Sequence, residues 1–150
     1  MLCGVLGGQA MSVLPDGQFG ERVAQRLRDS YAIWLSTVAN DGTPQPNPVW
    51  FIWDGDDSLV VYNRPDAHRL VHIDARPNVA LHLDGNGRGG DVVVLAATAQ
   101  RAPELPPPHE SQEYLAKYGS GMERVSGSAE QFSVDYSVPL RITIRRIRGF

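Results

Sequence analysis

The stretch Trp34-Leu35-Ser36-Thr37-Val38-Ala39-Asn40-Asp41-Gly42-Thr43-Pro44-Gln45-Pro46-Asn47-Pro48-Val49-Trp50-Phe51-Ile52-Trp53 reads as a strand, a tight turn and a second strand. Asp41-Gly42 between two apolar runs is a short-range hairpin signal. The second strand carries proline at every second residue: Pro44, Pro46 and Pro48. Each lacks a backbone N–H, and a period of two puts the three gaps along one side. A central strand does not tolerate that, so this side is expected to be an edge, a bulge or a wall against something other than a strand. Val49-Trp50-Phe51-Ile52-Trp53 then delivers a large apolar and aromatic load. Two readings fit: an edge strand that enters the core, or a backbone-lined wall for a flat ligand. The residues alone favour the first.

Working outward, 150 residues suffice for one domain with its own core and fall short of two ordinary ones. Hydrophobic content of 42% with 21% charged residues is globular. A net charge of −3 gives no general attraction to nucleic acid or an anionic membrane. Cys3 is the single cysteine, so neither an internal disulfide nor a cysteine-based zinc site is expected, which fits a cytoplasmic protein. Residues 1–10 lack the basic start and the long apolar run of a secretory signal, and no run is long enough to span a membrane. Met11 is an alternative start. Residues 1–15 are expected to be a disordered or non-native extension, and 16–150 the domain.

Asp16 is a candidate N-cap for a packing helix to about Asp29, with Phe19, Val23 and Leu27 at four-residue spacing. Asp54-Gly55-Asp56-Asp57 lacks the spacing of a calcium loop and reads as a solvated hairpin tip before a strand over Ser58–Asn63. Arg64-Pro65-Asp66 is expected to open a short helix to about Ala75, with Ala67, Leu70, Val71 and Ile73 on its apolar side. Arg69, His72 and Arg76 share another side, near a helix start that already favours an anion. That makes a candidate phosphate site, although a solvated charged face is the commoner cause of such a pattern. His68 and His72 stand four apart, but no further metal ligand is evident. Val79–Leu83 is an alternating strand in which His82 is expected to be a satisfied structural histidine. The turn Asp84-Gly85-Asn86-Gly87-Arg88-Gly89-Gly90 lacks a P-loop ending and leaves Arg88 free. Asp91–Ala99 suits a strand covered on both faces. A proline-rich linker over 102–108, a helix over His109–Tyr118 and a mobile polar loop over 119–136 follow. Leu140, Ile142 and Ile144 mark the inner face of a last strand, whose arginines form a basic tail.

The element order suggests a mainly β (α+β) barrel with short flanking helices. Leu35-Ser36-Thr37-Val38, Asp41-Gly42-Thr43-Pro44, Pro48-Val49-Trp50-Phe51 and Trp53-Asp54-Gly55 resemble the split β-barrel flavin and deazaflavin oxidoreductases, the superfamily of pyridoxamine 5′-phosphate oxidase. The Pro-Val-Trp-Phe form is most similar to the actinobacterial branch that binds coenzyme F-420, a deazaflavin. The resemblance spans roughly residues 20–150. It implies an FMN-binding-like fold and a homodimer with the cofactor site at the interface. It also implies a ring wall at Pro48, Val49 and Trp50, and a phosphate-site entry at Asn63 and Arg64. Relatives carry lysine and asparagine where this chain has Arg69 and His72. The substitution keeps positive charge at the first position and changes the polar contact at the second. With the resemblance, the balance for the proline stretch turns toward a cofactor wall.

The implied activity is hydride transfer from reduced coenzyme F-420 to a small organic acceptor, with no role for metal, membrane or nucleic acid. FMN in the same fold, and a carrier of flavin or deazaflavin without catalysis, are the alternatives. No nucleophile, dyad or triad is evident. Tyr62, His82 and water are the candidate proton donors with nothing to choose between them, and the sequence does not name the acceptor.

Overall fold

The computed structural model describes residues 12–150. The order is α1 (Gly17–Asp29), β1 (Ile33–Val38), β2 (Pro44–Val49), β3 (Ile52–Trp53), β4 (Ser58–Asn63), α2 (His68–Ala75), β5 (Asn78–His82), β6 (Val93–Arg101), α3 (Gln112–Ser126), α4 (Ala129–Asp135) and β7 (Val138–Gly149). A single 3-10 turn, Pro108–Glu110, leads into α3. The seven strands form one antiparallel sheet in the order β2-β1-β5-β6-β7-β4-β3.

This order explains the opening stretch. β2 and β3 are the two edges of the sheet, and only Trp50 and Phe51 separate them in the chain. The chain leaves its pairing with β1 at Val49, the end of β2, crosses in two residues and pairs with β4 at Ile52. The sheet therefore curls until its two edges are covalently joined, which is how a half-barrel with a split arises. On β2 the prolines sit opposite Val38, Ser36 and Trp34. In an antiparallel ladder alternate residues turn their polar groups toward the partner strand, so three prolines in step leave the other residues free to pair with β1. Gly42 makes the turn at φ 86°.

The inner face is apolar at period two. Ile33 and Leu35, Leu59 and Val61, Val79 and Leu81, Val93 and Leu95, and Leu140, Ile142 and Ile144 form one core with Val23 and Leu27 of α1. Val13 and Leu14 pack against it too. The expected extension over 1–15 otherwise lies, for residues 1–11, outside the described residues. A second core lies on the opposite face of β3 and β4, where Tyr62 meets Tyr114, Tyr118 and Met122 of α3 and Phe132 of α4.

Several local expectations are corrected. The helix expected from Arg64 starts at His68, because Pro65 and Asp66 form a turn, and Val71 is 61% exposed rather than apolar-packed. β6 alternates buried and half-buried residues instead of being covered on both faces. His82, expected to be structural, is exposed but keeps such a role: it stacks on Trp34, with 6.0 Å between centroids and 7° between planes, and its Nδ1 lies 3.4 Å from the Leu83 carbonyl. The mobile loop expected over 119–136 is helical. α3 runs on to Ser126, and after Gly127 a second helix begins. Serine caps start both helices: the Ser111 hydroxyl accepts from the Tyr114 N–H and the Ser128 hydroxyl from the Gln131 N–H.

Candidate functional site

A cavity of about 220 Å³ opens between the barrel split and the α3–α4 pair, lined by Pro48, Val49, Trp50, Tyr62, Arg69 and Tyr114, with Val125, Phe132 and Tyr136 on the helical side. Its walls follow from the fold. The edge crossing after β2 places Pro48, Val49 and Trp50, the outward face of β4 places Tyr62, and the first turn of α2 delivers Arg69. α3 and α4 supply the remaining aromatic rings.

Among the described residues, Arg69 is the only formally charged side chain lining this cavity. Among the described residues it has no carboxylate partner. Its Nε donates to Oδ1 of Asn63 at 2.6 Å. Asn63 is itself wholly buried, and its amide donates to the carbonyls of Val61 at 3.1 Å and Val138 at 3.0 Å. Burial depresses the Arg69 pKa, the nearby Tyr136 acting in the other direction. An arginine in a protein stays charged regardless. A half-buried guanidinium without a counter-charge is costly unless an anion completes it.

Arg69 also borders a second cleft, of about 440 Å³, with Thr37, Gln45, Asn47, His68 and His72. His72 is held there through Nδ1, 2.9 Å from the hydroxyl of the buried Thr37. Arg64 stands outside at the rim, its guanidinium 5.5 Å from the centre of the Tyr136 ring and 3.9 Å from Asp66. The residues proposed from sequence thus fall into three places. Pro48, Val49, Trp50 and Arg69 line the cavity of about 220 Å³ and Asn63 braces Arg69 from behind. His72 faces the neighbouring cleft, and Arg64 stands at the rim between Asp66 and the ring of Tyr136.

The Trp50 indole is not a free stacking surface. It lies parallel to Tyr118 at 4.7 Å and 1°, and stacks with Phe132 at 5.7 Å. Phe51, next in the chain, is clamped through its backbone. Its N–H donates to the Tyr118 hydroxyl at 2.9 Å, and its carbonyl accepts from Tyr118 at 3.0 Å and from Lys117 Nζ at 3.1 Å. The wall is therefore fixed by α3.

Of the possible proton donors, Tyr62 lines the cavity but commits its hydroxyl to the Pro106 carbonyl at 2.6 Å, and burial raises its pKa. His82 lines neither cavity and stacks instead on Trp34. Arg88 is exposed in the β5–β6 loop and lines neither cavity. Among the described residues no three His, Cys, Asp or Glu side chains come together as a metal site, and no helix is long and apolar enough to cross a membrane.

Sequence reasoning missed Tyr114, Phe132 and Tyr136. A signal was present: Tyr114, Tyr118 and Met122 recur at four-residue spacing, the stripe of a helix that continues through Gly119 and Gly121.

A family model described as pyridoxamine 5′-phosphate oxidase matches residues 19–149. Among solved structures, general stress protein 26 from Bacillus anthracis superposes with a TM-score of 0.63 at 22% identity, covering 85% of this chain and 89% of that one. An F-420 reductase gives 0.61 at 23% identity, covering 90% and 98%. HutZ, the heme storage protein from Vibrio cholerae, gives 0.58 at 13% identity, covering 86% and 92%. No curated protein matches the chain. At these identities the structural likeness shows the fold.

Proposed function

The chain belongs to the pyridoxamine 5′-phosphate oxidase family, and on that footing we propose that it is an oxidoreductase that uses coenzyme F-420, with FMN as the competing cofactor. The observation that carries the reading is Arg69: an unpaired, half-buried cation, held by a buried asparagine, in a cavity otherwise walled by apolar and aromatic groups. A ring system bearing a phosphate answers both parts of that cavity. The bound deazaflavin would supply hydride transfer at its ring, and the protein contributes binding, orientation and exclusion of water.

Each residue has a task under this reading. Arg69 holds the anion, with two terminal amino groups available for a bidentate contact. Pro48, Val49 and the clamped Trp50 present a rigid edge to the ring. Tyr62, Tyr114 and Phe132 keep the ring side dry. His72, set by Thr37, offers its second nitrogen to polar parts of the cofactor beyond Arg69. Arg64 at the rim adds long-range attraction. Pro44, Gln45, Pro46, Asn47 and Pro48 are all exposed, and of these Gln45, Asn47 and Pro48 line the two cavities. A second copy of the chain over this edge would bury them and complete an interfacial site.

Parallel titrations of coenzyme F-420 and FMN test the choice of cofactor. Tighter binding of F-420, read from deazaflavin fluorescence quenching, supports the assignment. FMN retained through purification with no F-420 binding moves the protein to the FMN branch. Reduced F-420 incubated with a panel of quinones, enones and nitroarenes then separates an enzyme from a carrier, since a carrier leaves the reduced cofactor unconsumed.

A further inference from the structure

Three tyrosines of the second core lie ring to ring. Tyr62 and Tyr114 meet edge-on at 5.0 Å, and Tyr114 and Tyr118 lie tilted by 45° at 4.7 Å. Two of their hydroxyls are fully occupied. Tyr62 donates to the Pro106 carbonyl, and Tyr118 is bound to Tyr31 and to both backbone groups of Phe51. The third is different. Tyr114 is only 1% exposed, yet its hydroxyl makes no hydrogen bond to any described residue. Nor is that oxygen sealed in: among the described residues, buried side-chain polar atoms without a hydrogen bond occur only on Arg22 and Asp91, which form an ion pair with each other. The space that Tyr114 lines is the ring cavity.

A hydroxyl with no partner among the described residues that stays accessible at a cavity wall is available to a ligand, and the packing of the core gives no use for it. Phenylalanine would fill the same volume at no polar cost. We propose that Tyr114 is the hydrogen-bond donor that selects the ligand of this cavity, giving its O–H to a carbonyl oxygen or ring nitrogen on the edge of a flat molecule. This rests on the reading that the cavity takes a ring system, and adds which chemical group of the ring the protein recognises. Burial pushes the phenol pKa well above its ordinary value, so the group stays protonated and remains a donor. The surrounding rings exclude competing water, which raises the discrimination such a bond provides.

The test is Tyr114→Phe, which removes one oxygen. Wild type and variant are titrated with F-420, with FMN and with menadione, a small flat diketone, and their thermal unfolding is compared without ligand. The expected result is an unchanged or higher Tm together with ligand binding weakened by about fivefold to tenfold, the scale of one net hydrogen bond. Equal affinities overturn the proposal, as does a clear drop in Tm, which would mean that the hydroxyl serves the fold. If wild type binds neither F-420 nor FMN, the cofactor reading falls, and menadione decides the role of Tyr114. Failure of all three to bind removes both.

Discussion

The guanidinium of Arg69 donates through Nε to Oδ1 of Asn63 at 2.6 Å, and Asn63 is itself fixed by two backbone carbonyls, those of Val61 and Val138. The two carbonyls admit only the amide nitrogen, so the oxygen must face Arg69 and the amide cannot flip. Asn63 pairs with Val138 across β4 and β7. The position of the cavity's cation is therefore set by the sheet, and a flexible side chain becomes a rigid one.

Arg69→Ala should weaken binding of a phosphate-bearing cofactor by about 1.5–3 kcal/mol, the scale for a hydrogen bond to a charged group. The fold should survive, because Leu70 and Ile73 hold α2 to the core. Arg69→Lys should recover part of the loss through its charge, but without the planar fork. Titration reads affinity and circular dichroism the fold. An unchanged affinity in folded Arg69→Ala would make this cation a surface feature and shift attention to Arg64.

Asn63→Ala should act twice. It strips a buried donor from two carbonyls and costs about 1–3 kcal/mol of stability. It should also weaken cofactor binding, although Asn63 lies behind Arg69 and need not touch the ligand. Chemical denaturation and titration on the same sample separate the two effects. Full affinity at reduced stability would show that Arg69 finds its place without the brace.

The barrel was legible where chemistry is local. Asp41-Gly42 makes the turn, and proline at positions 44, 46 and 48 marks an edge, because a missing N–H cannot be hidden inside a sheet. The inner face of β7 followed from simple alternation at Leu140, Ile142 and Ile144. The helical wall was not legible, because Gly119, Gly121 and Gly127 with four nearby serines look like a loop by composition. Only Gly127 ends a helix; the other two lie inside one, and Gly121 is there for contact. Nor could sequence reveal that Trp50 and Phe51 join the two sheet edges, since that depends on pairings between distant strands. Arg69 was identified as a candidate from its place beside a helix start. Asn63 was named only through resemblance, and its brace on Arg69 is a tertiary fact.

Lys117 should give stability a distinctive pH dependence. Burial lowers its pKa to about 8 from 10.5, with Asp29 acting in the other direction. The sign follows from proton counts. Between about pH 8 and 10.5 the unfolded chain still holds the proton that the folded chain has released, so stability rises with pH across that window. Below pH 8 both states are charged and the burial penalty is fully present. Partial exposure keeps the effect modest. Lys117→Met should therefore be more stable than wild type at pH 7, the gap closing by pH 10. Subtracting the two profiles removes the tyrosines, whose raised pKa values act in the opposite sense. A gap that does not change with pH would mean that packing, not charge, sets it.

Two glycines in one helix provide a matched pair. At Gly119 an added Cβ meets nothing within 4 Å, whereas at Gly121 it would lie 2.6 Å from the Tyr31 hydroxyl and 2.8 Å from Trp50 Cη2. Helix propensity alone favours alanine at either site by about 1 kcal/mol. Gly119→Ala should show that gain as a higher Tm. At Gly121 overpacking opposes it by about 1–3 kcal/mol. Trp50 cannot easily give way, being stacked with Tyr118 and Phe132 and tied by the Phe51 backbone clamp beside it. Gly121→Ala should therefore lower the Tm and also weaken cofactor binding, because any relaxation moves Trp50 at the cavity wall. Intrinsic fluorescence should report the altered indole surroundings. If both variants are stabilised equally, α3 does not lie against Trp50, and the wall is not fixed by the helix.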